Sequence, residues 1–283
     1  MHVTIVLASI PSPSSGVVDL GPITIHIYGV LLALGIVLGA SWGGRRWAAG
    51  GHDRRAFDNV IVGIVGFGIV GARLYHVATD SQLFVGHWIR VVEIWKGGLS
   101  IWGVLIGGIL GAVVISRVQR VDALGILDAI VPGLLVGQAI GRWGNWFNQE
   151  LFGEPTKLPW GLQIDLAKRP PGYAQYTTFH PTFLYESLYC LLLAALALWV
   201  ERRWRLRRGQ LVALYLSGYC FGRFWFEQLR IDSAKVVFGL RINSWVEIAM
   251  FVGGIVWFRW LGRHSSFDEG RQRALHPPER SAA

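Results

Sequence analysis

The sequence is poor in charge and in cysteine. Only 16% of its 283 residues are Asp, Glu, Lys or Arg, whereas a soluble domain usually carries about a quarter. Its two cysteines, Cys190 and Cys220, lie inside apolar stretches and fit no metal-ligand spacing, so they are interpreted as small buried hydrophobic residues. The first residues carry no basic region and only a short apolar run ended by prolines, so a cleaved signal peptide is not expected.

Apolar residues, tryptophan and glycine are abundant instead. The chain is 52% hydrophobic with 14 Trp and 36 Gly, and its mean hydropathy is +0.40. Trp gathers at membrane–water interfaces, and Gly is commoner in membrane helices than in soluble ones. The net charge of +9 comes from short basic runs between apolar segments. Because such runs are typical of membrane topology signals, a nucleic-acid partner is not expected.

The apolar segments predict an all-α, polytopic membrane protein with about seven transmembrane helices. Each segment approaches the roughly 20 residues that a spanning helix needs. The stretch Phe84–Trp95 is shorter and is predicted to be an interfacial helix. Residues 1–263 are predicted to form one transmembrane catalytic domain, and residues 264–283 a basic, disordered tail. The predicted spans are Ile23–Trp42, Val60–Ala78, Leu99–Ile115, Ala123–Ile140, Phe183–Val200, Leu211–Leu229 and Ser244–Leu261.

The distribution of Lys and Arg predicts the orientation. Of the 27 basic residues, 16 fall in the connections and tail on the side of the C-terminus and nine on the other side. Short cytoplasmic loops carry the excess of positive charge, so the N-terminus is predicted outside and the C-terminus in the cytoplasm. The longest loop, residues 142–182, is then extracytoplasmic. A loop of this length is usually functional or a small subdomain.

Ionisable residues inside the spans indicate a site near the outer side. Tyr219, Arg223 and Glu227 recur at i, i+4 and i+8, which places them on one helix face. Such residues are costly in a membrane and normally face the bundle interior, either as structural ion pairs or as functional groups. Arg142 and Arg223 both stand near the outer leaflet, and paired guanidiniums suit a lipid phosphate. This pattern predicts an anionic lipid site without naming a reaction.

Residues 141–153 carry a resemblance that does name one. They read Gly141-Arg142-Trp143-Gly144-Asn145-Trp146-Phe147-Asn148-Gln149-Glu150-Leu151-Phe152-Gly153. This stretch closely resembles the signature G-R-x-G-N-F-x-N-x-E-x-x-G of the prolipoprotein diacylglyceryl transferases, with Trp146 as the one departure. Further similarities are His26-Ile27-Tyr28-Gly29, His180-Pro181 with Tyr185-Glu186, and Gly222-Arg223-Phe224 with Glu227. The resemblance as a whole covers roughly residues 11–260.

The resemblance implies a bacterial inner-membrane enzyme. In that family a lipobox cysteine thiol attacks the glycerol carbon of phosphatidylglycerol, forms a thioether and expels glycerol 1-phosphate. The implied partners are phosphatidylglycerol, prolipoprotein signal peptides with a lipobox cysteine, and membrane lipids. No metal or organic cofactor is implied. A transporter or a non-catalytic binder of an anionic lipid or solute is the alternative; a transporter would show an internal repeat and broken helices, and neither is clear.

The family motif also implies which residues form the site. The implied catalytic residues are Arg142, Arg223, Glu150 and Tyr28. The implied substrate-binding residues are Arg142, Arg223, Asn145, Gly153, Tyr219 and Glu227.

Each of these residues has a plainer interpretation. Tyr28 is otherwise an interfacial aromatic, Asn145 a loop cap, and Gly153 a requirement of backbone geometry. Glu150 is expected to hold Arg142 in place, and Glu227 to hold Arg223. Three more residues are predicted to be structural: His180, Glu186 and Asp128.

Trp102 departs from the family pattern. Many family members have a His in the segment that reads Gly97-Gly98-Leu99-Ser100-Ile101-Trp102-Gly103 here, and that His is often proposed as the base. An indole donates a hydrogen bond but accepts no proton. The proton acceptor is therefore left open among water, a phosphate oxygen and Glu150.

Overall fold

The structure is a computed structural model that describes residues 9–21, 23–94 and 97–276. Within these residues it is a bundle of long helices with short antiparallel hairpins in the connections. The helices are α1 (Ile27–Ala49), α2 (Arg54–Thr79), α3 (Ile101–Gln119), α4 (Ala123–Asn148), α5 (Thr182–Arg203), α6 (Gln210–Leu229), α7 (Ile242–His264) and α8 (Glu269–Leu275). The strands pair as β1 (Val17–Leu20) with β2 (Ile23–His26), β3 (Leu162–Gln163) with β4 (Thr178–Phe179), and β5 (Val236–Val237) with β6 (Leu240–Arg241).

The predicted fold class, a helical polytopic membrane protein, is confirmed. Six of the helices, α1 to α5 and α7, are long and apolar enough to cross a membrane by length and composition. Helix α6 has 20 residues but is not among the six, because Arg223, Glu227 and its tyrosines lower its hydropathy. The count of seven spans therefore stays a prediction.

Helix α4 is longer than the apolar pattern predicted. The predicted span ended at Ile140, and residues from Arg142 onward were assigned to a loop, because polar side chains follow there. The helix continues to Asn148, and Gln149 closes it in the left-handed conformation. Polar residues can extend this helix because they face partners on neighbouring helices. Arg142 and Asn145 are thus held by a helix and not by a loop.

Glycine contacts bring α1 and α4 together. A Cβ atom on Gly35 would lie 2.7 Å from the carbonyl oxygen of Gly137, and one on Gly133 would lie 2.4 Å from that of Gly39. The two backbones therefore touch, as small residues permit in membrane helices. Helices α2 and α3 cross in the same way, through glycines on both.

The connection between α4 and α5 is a small folded unit. Its core contains the buried side chains Phe152, Leu162, Ile164, Phe179 and Phe183. The pair β3–β4 crosses this core, and Ile10 forms a bridge with Leu162. The unit therefore covers one end of the bundle, the end at which α4 stops and α5 begins.

The stretch that was predicted as an interfacial helix has another structure. Its described part contains a 3-10 helix, Trp88–Val92, and no α-helix. Trp88 and Ile89 expose about 70% of their surface. The apolar, exposed character that suggested an interfacial element is present, but the chain turns at Gly86, which has a φ of +77°, and forms a 3-10 helix after it.

The opposite end of the bundle is closed by α8. Asp268 caps this helix by accepting a hydrogen bond from the backbone N–H of Arg271 at 3.1 Å, and its carboxylate also meets Nε2 of His52 at 2.9 Å. The prediction of a disordered tail is wrong for residues up to 276, since α8 and its flanks are packed against the bundle. Residues 277–283 lie outside the described residues.

A buried ion cluster explains why α8 docks there. The Arg271 guanidinium contacts Glu201 of α5 and lies 3.1 Å from Oδ2 of Asp128. Arg46 of α1 pairs with the other oxygen of Glu201. Burial alone would lower the pKa of Arg271, but the two carboxylates outweigh it and raise that pKa. Asp128 also accepts the backbone N–H groups of Gly209 and Val212 at the start of α6, which confirms its predicted structural role.

Candidate active site

A cavity of about 670 Å³ lies inside the helix bundle. Most of its wall is apolar and comes from α1, α2 and α4, with Ile101 at the start of α3. The polar side chains on its wall are Tyr28, Gln138, Arg142, Asn145, Tyr219, Arg223 and Arg230. An apolar chamber with cations on one wall matches a molecule that has both acyl chains and an anionic group.

Arg142 is held from two sides. Its Nη2 lies 2.8 Å from Oε2 of Glu186 on α5 and donates a hydrogen bond to the Tyr219 hydroxyl on α6 at 3.0 Å. Glu150, which was expected to hold Arg142, instead accepts from Asn145 and Asn148 at 2.9 and 3.1 Å. That expectation is wrong because α4 continues past Arg142 and carries Glu150 beyond its reach.

Arg223 faces three carboxylates. Its Nη2 lies 2.7 Å from Oε2 of Glu227, one helical turn away, as the spacing predicted. Its Nη1 lies 3.5 Å from Oε1 of Glu186, and its Nε lies 3.7 Å from Glu247 of α7. Glu186 therefore contacts both Arg142 and Arg223, one with each oxygen.

Glu227 is fully buried and is the centre of a larger network. Besides Arg223 it meets Nη1 of Arg230 at 3.3 Å, Nε of Arg241 at 3.0 Å and Nδ2 of Asn243 at 3.0 Å. This network ties the end of α6 to the start of α7. Glu227 itself does not line the cavity, so it acts on the site through its arginine partners.

Asp232 completes the network at the α6–α7 connection. It takes two hydrogen bonds of 2.7 Å from Arg230 and one of 2.9 Å from Arg241. Burial would raise the pKa of Asp232, but the hydrogen bonds and charges of the two arginines outweigh it and lower that pKa. Ionised Asp232 therefore stabilises the folded state fully above the ordinary carboxyl pKa. This contribution is lost as the pH falls through the lowered pKa of Asp232.

The remaining motif residues differ in their access to the cavity. Tyr28 and Asn145 line it, and the Tyr28 ring packs against Gly144, where a Cβ atom would lie 2.2 Å from the ring. Glu150 is exposed and does not line it. Gly153 has no room for a side chain, because a Cβ atom there would lie 3.0 Å from the carbonyl oxygen of Leu229. Gly153 thus fits the plainer interpretation of backbone geometry.

Comparison with known proteins shows the family of the chain. A sequence model of the family described as prolipoprotein diacylglyceryl transferase matches residues 15–260. The chain belongs to the prolipoprotein diacylglyceryl transferase family. A phosphatidylglycerol–prolipoprotein diacylglyceryl transferase of Cutibacterium acnes is 50% identical over 251 residues, which is 88% of this chain and 85% of the relative. The enzyme of the same name from Streptomyces griseus is 46% identical over 274 residues, or 96% of this chain and 82% of the relative.

Trp102, the departure from the family pattern, lies in the first turn of α3. The residue is 44% exposed, and the cavity wall includes its neighbour Ile101 but not Trp102. A histidine from another helix lies close to this segment: a Cβ atom on Gly98 would be 2.5 Å from Nε2 of His76. The other nitrogen of His76 lies 3.0 Å from Oδ2 of Asp80.

His180 has a structural environment, as predicted. Its Nδ1 shares a hydrogen bond of 3.1 Å with the Tyr185 hydroxyl, which also accepts from the Trp160 indole at 2.9 Å. Its backbone N–H and carbonyl pair with Glu154 and Gly153. The residue joins the α4–α5 connection to the start of α5.

Two functional candidates were missed or undervalued by sequence reasoning. Arg230 lines the cavity, and Glu186, predicted to be structural, stands between the two site arginines. Arg230 was detectable, since it continues the Arg223–Glu227 face by about one turn. The contacts of Glu186 with both Arg142 and Arg223 were not detectable from the sequence, because they depend on how α5 packs against α4 and α6. Among the described residues no group of His, Cys, Asp or Glu is arranged as a metal site.

Proposed function

We propose that this chain transfers the diacylglyceryl group of phosphatidylglycerol to the lipobox cysteine thiol of prolipoproteins. The products are a thioether-linked prolipoprotein and glycerol 1-phosphate. The observation that carries the proposal is the pair of guanidiniums, Arg142 and Arg223, on the wall of a mostly apolar cavity. Membership of the family and the activity for which its relatives are named support the same substrates.

The cavity has a place for each part of the lipid. Acyl chains would lie along the apolar wall, which includes Leu32, Ile36 and Ile64. The phosphate would lie near Arg142 and Arg223, whose planar N–H groups suit bidentate binding. Tyr28 and Asn145 line the same cavity and are proposed to contact the headgroup.

The arginines assist the reaction through charge. As the thiol sulfur bonds to the glycerol carbon, the bond from that carbon to the phosphate oxygen breaks and its electron pair leaves with the phosphate. A diester with one negative charge becomes a monoester with nearly two, so fixed cations stabilise the transition state more than the substrate. The same cations lower the pKa of a nearby thiol, and its proton passes to water or to a phosphate oxygen.

Glu150, Glu227 and Tyr219 are proposed to position other residues. Glu150 orients Asn145. Glu227 holds Arg223, and Tyr219 holds Arg142. None of the three needs to transfer a proton. Gly153 is proposed to keep the α4–α5 connection close to the end of α6.

We place the enzyme in the bacterial inner membrane with its N-terminus outside and its C-terminus in the cytoplasm. The excess of Lys and Arg on the α8 side supports this orientation. The Arg142 end of the cavity then lies toward the outer leaflet, where signal peptides with a lipobox emerge.

The test is a transfer assay with the full chain purified in detergent. Phosphatidylglycerol labelled in the glycerol backbone and a lipobox peptide are supplied, and thioether formation and glycerol 1-phosphate release are measured together. Equal amounts of both products support the proposal. A peptide with serine in place of the lipobox cysteine is the control. Lipid binding without either product would favour the non-catalytic binder, and lipid uptake into vesicles without product would favour the transporter.

A further inference from the structure

Glu186 occupies the space between the two arginines of the site. Its side chain is 4% exposed, and its two oxygens point to different guanidiniums, 2.8 Å from Arg142 and 3.5 Å from Arg223. It comes from α5, whereas the arginines come from α4 and α6. A phosphate that contacts both arginines must therefore lie beside this carboxylate.

The other carboxylates near Arg223 are placed differently. Glu227 is anchored by Arg230, Arg241 and Asn243 in addition to Arg223. Glu247 lies 3.7 Å from Nε of Arg223. Among the residues that the structure describes, Glu186 is the one acid in contact with both site arginines.

Arg142 keeps part of its guanidinium available. Within the described residues, Nη2 contacts both Glu186 and Tyr219. Nη1 and Nε have no hydrogen-bond or ion-pair partner there. Arg223, by contrast, directs Nη1, Nη2 and Nε at three carboxylates. A bound phosphate can therefore approach Arg142 freely but meets a competing anion at Arg223.

We infer that Glu186 is a positioning residue that weakens the site's hold on the phosphate monoester product, and so speeds product release. This inference rests on the proposed function. Glu186 fixes the spacing of Arg142 and Arg223 when no phosphate is bound, and it repels the phosphate when one is. The lipid substrate is a diester with one negative charge, whereas the product monoester carries up to two. Repulsion grows with the charge of the ligand, so Glu186 disfavours the product more than the substrate.

The test compares two soluble inhibitors in the transfer assay. One is glycerol 1-phosphate, a monoester, and the other is the deacylated headgroup glycerophosphoglycerol, a diester. Glu186→Gln removes the charge while keeping the size of the side chain. We expect the inhibition constant of the monoester to fall on the order of tenfold, the effect of one competing charge-assisted hydrogen bond. The diester constant should fall less, and kcat should drop while KM for the lipid changes little.

A matched control removes a carboxylate that does not touch the arginines. Glu154 is exposed and belongs to the connection after α4, so Glu154→Gln should leave both inhibition constants unchanged. If Glu186 merely supported the fold, its loss would loosen both arginines and weaken both inhibitors. Weaker or equal binding of the monoester to Glu186→Gln would therefore overturn the inference.

Binding can also be measured without turnover. Thermal unfolding of the full chain in detergent is followed with and without glycerol 1-phosphate. The ligand should raise the midpoint more for Glu186→Gln than for the parent, because it replaces the missing anion. If the variant is unstable when purified alone, recovery of the folded variant when glycerol 1-phosphate is added supports the inference. No recovery with glycerol 1-phosphate contradicts the inference. A parent that binds the monoester but makes no thioether would refute the proposed function alone.

Discussion

At the scale of single residues, geometry distinguishes arginine from lysine in this site. Arg142 contacts both Glu186 and Tyr219 through Nη2, and Arg223 directs three nitrogens of one guanidinium at carboxylates. A lysine ammonium keeps the charge but cannot reach two partners in one plane. The function of these residues therefore depends on the planar fork as well as on the positive charge.

Arg142→Lys and Arg223→Lys are each expected to lower kcat/KM by about 100-fold or more, as the loss of a charge-stabilising donor does in other enzymes. Both variants should still insert and purify like the parent. The measurement is initial rate against lipid concentration, with the exposed Arg90→Lys as the control. Parental turnover by either variant would show that its arginine does not bind the phosphate.

Glu227→Gln is expected to reduce both stability and activity. The parent carboxylate compensates Arg223, Arg230 and Arg241 at a fully buried position, and breaking a buried ion pair typically costs about 3 kcal/mol. Mispositioned Arg223 should then lower kcat. Thermal unfolding and turnover are measured on the same sample, with Glu154→Gln as control. A variant with parental rate and parental lipid binding would reduce the network to a structural one.

Thiol activation is expected to proceed without an imidazole. Trp102→Phe removes one N–H donor outside the cavity wall and should cost at most about threefold in rate. His180→Gln and His76→Gln should keep the parental pH–rate profile on its acidic side. If His76→Gln folds, binds lipid and loses the acidic limb, then His76, held by Asp80, is the base in place of the family histidine that Trp102 replaces.

The sequence predicted the motif residues of the site but not all of their partners. The i, i+4 spacing of Arg223 and Glu227 is local, so the pair could be predicted, and the structure contains it. The partner of Arg142 was assigned to Glu150 because that acid is near in sequence. The true partner, Glu186, is brought in by helix packing, which a motif does not encode.

At the scale of elements, α8 shows how distant residues can order a segment. Composition predicted a disordered tail, since residues 264–283 contain no long apolar run. Its order depends on carboxylates elsewhere in the chain, above all Glu201, which lies 70 residues before Arg271. Hydropathy could not predict this pairing, because it scores a carboxylate and a guanidinium alike as polar and does not show that they attract each other.

Arg271→Ala is expected to destabilise the bundle by about 3 kcal/mol, because Asp128 and Glu201 would be left buried with less positive charge. Unfolding in detergent measures the effect. Arg273→Ala, which alters the same helix, is the control, since no ion pair of Arg273 is found among the described residues. Equal stability of the two variants would mean that the cluster does not hold α8.

At the scale of the whole molecule, hydropathy and charge predicted the helix order well. Each predicted span overlaps one of α1 to α7, with ends that differ by up to eight residues, and Ile23–His26, predicted to begin the first span, forms β2 instead. The differences arise where polar residues continue a helix, as in α4. The orientation of the bundle relative to the membrane stays a prediction.

Alkaline phosphatase fusions test that orientation. Fused after Ala283, the phosphatase should be inactive, because the C-terminus is predicted in the cytoplasm. Inserted after Gly172, an exposed position in the α4–α5 connection, it should be active. Both fusions must be full length and membrane-inserted. The reverse pattern of activities would overturn the topology.

The docking of α8 has a consequence for the order in which the protein is made. Chains emerge from the ribosome N-terminus first, so Arg46, Asp128 and Glu201 are synthesised well before Arg271. Arg46 can pair with Glu201 once α5 exists, but one cation then serves two buried carboxylates. Until residues 265–276 emerge, this end of the bundle is electrostatically incomplete. A nascent chain stalled before Arg271 should therefore be more exposed to membrane proteases than one released after it.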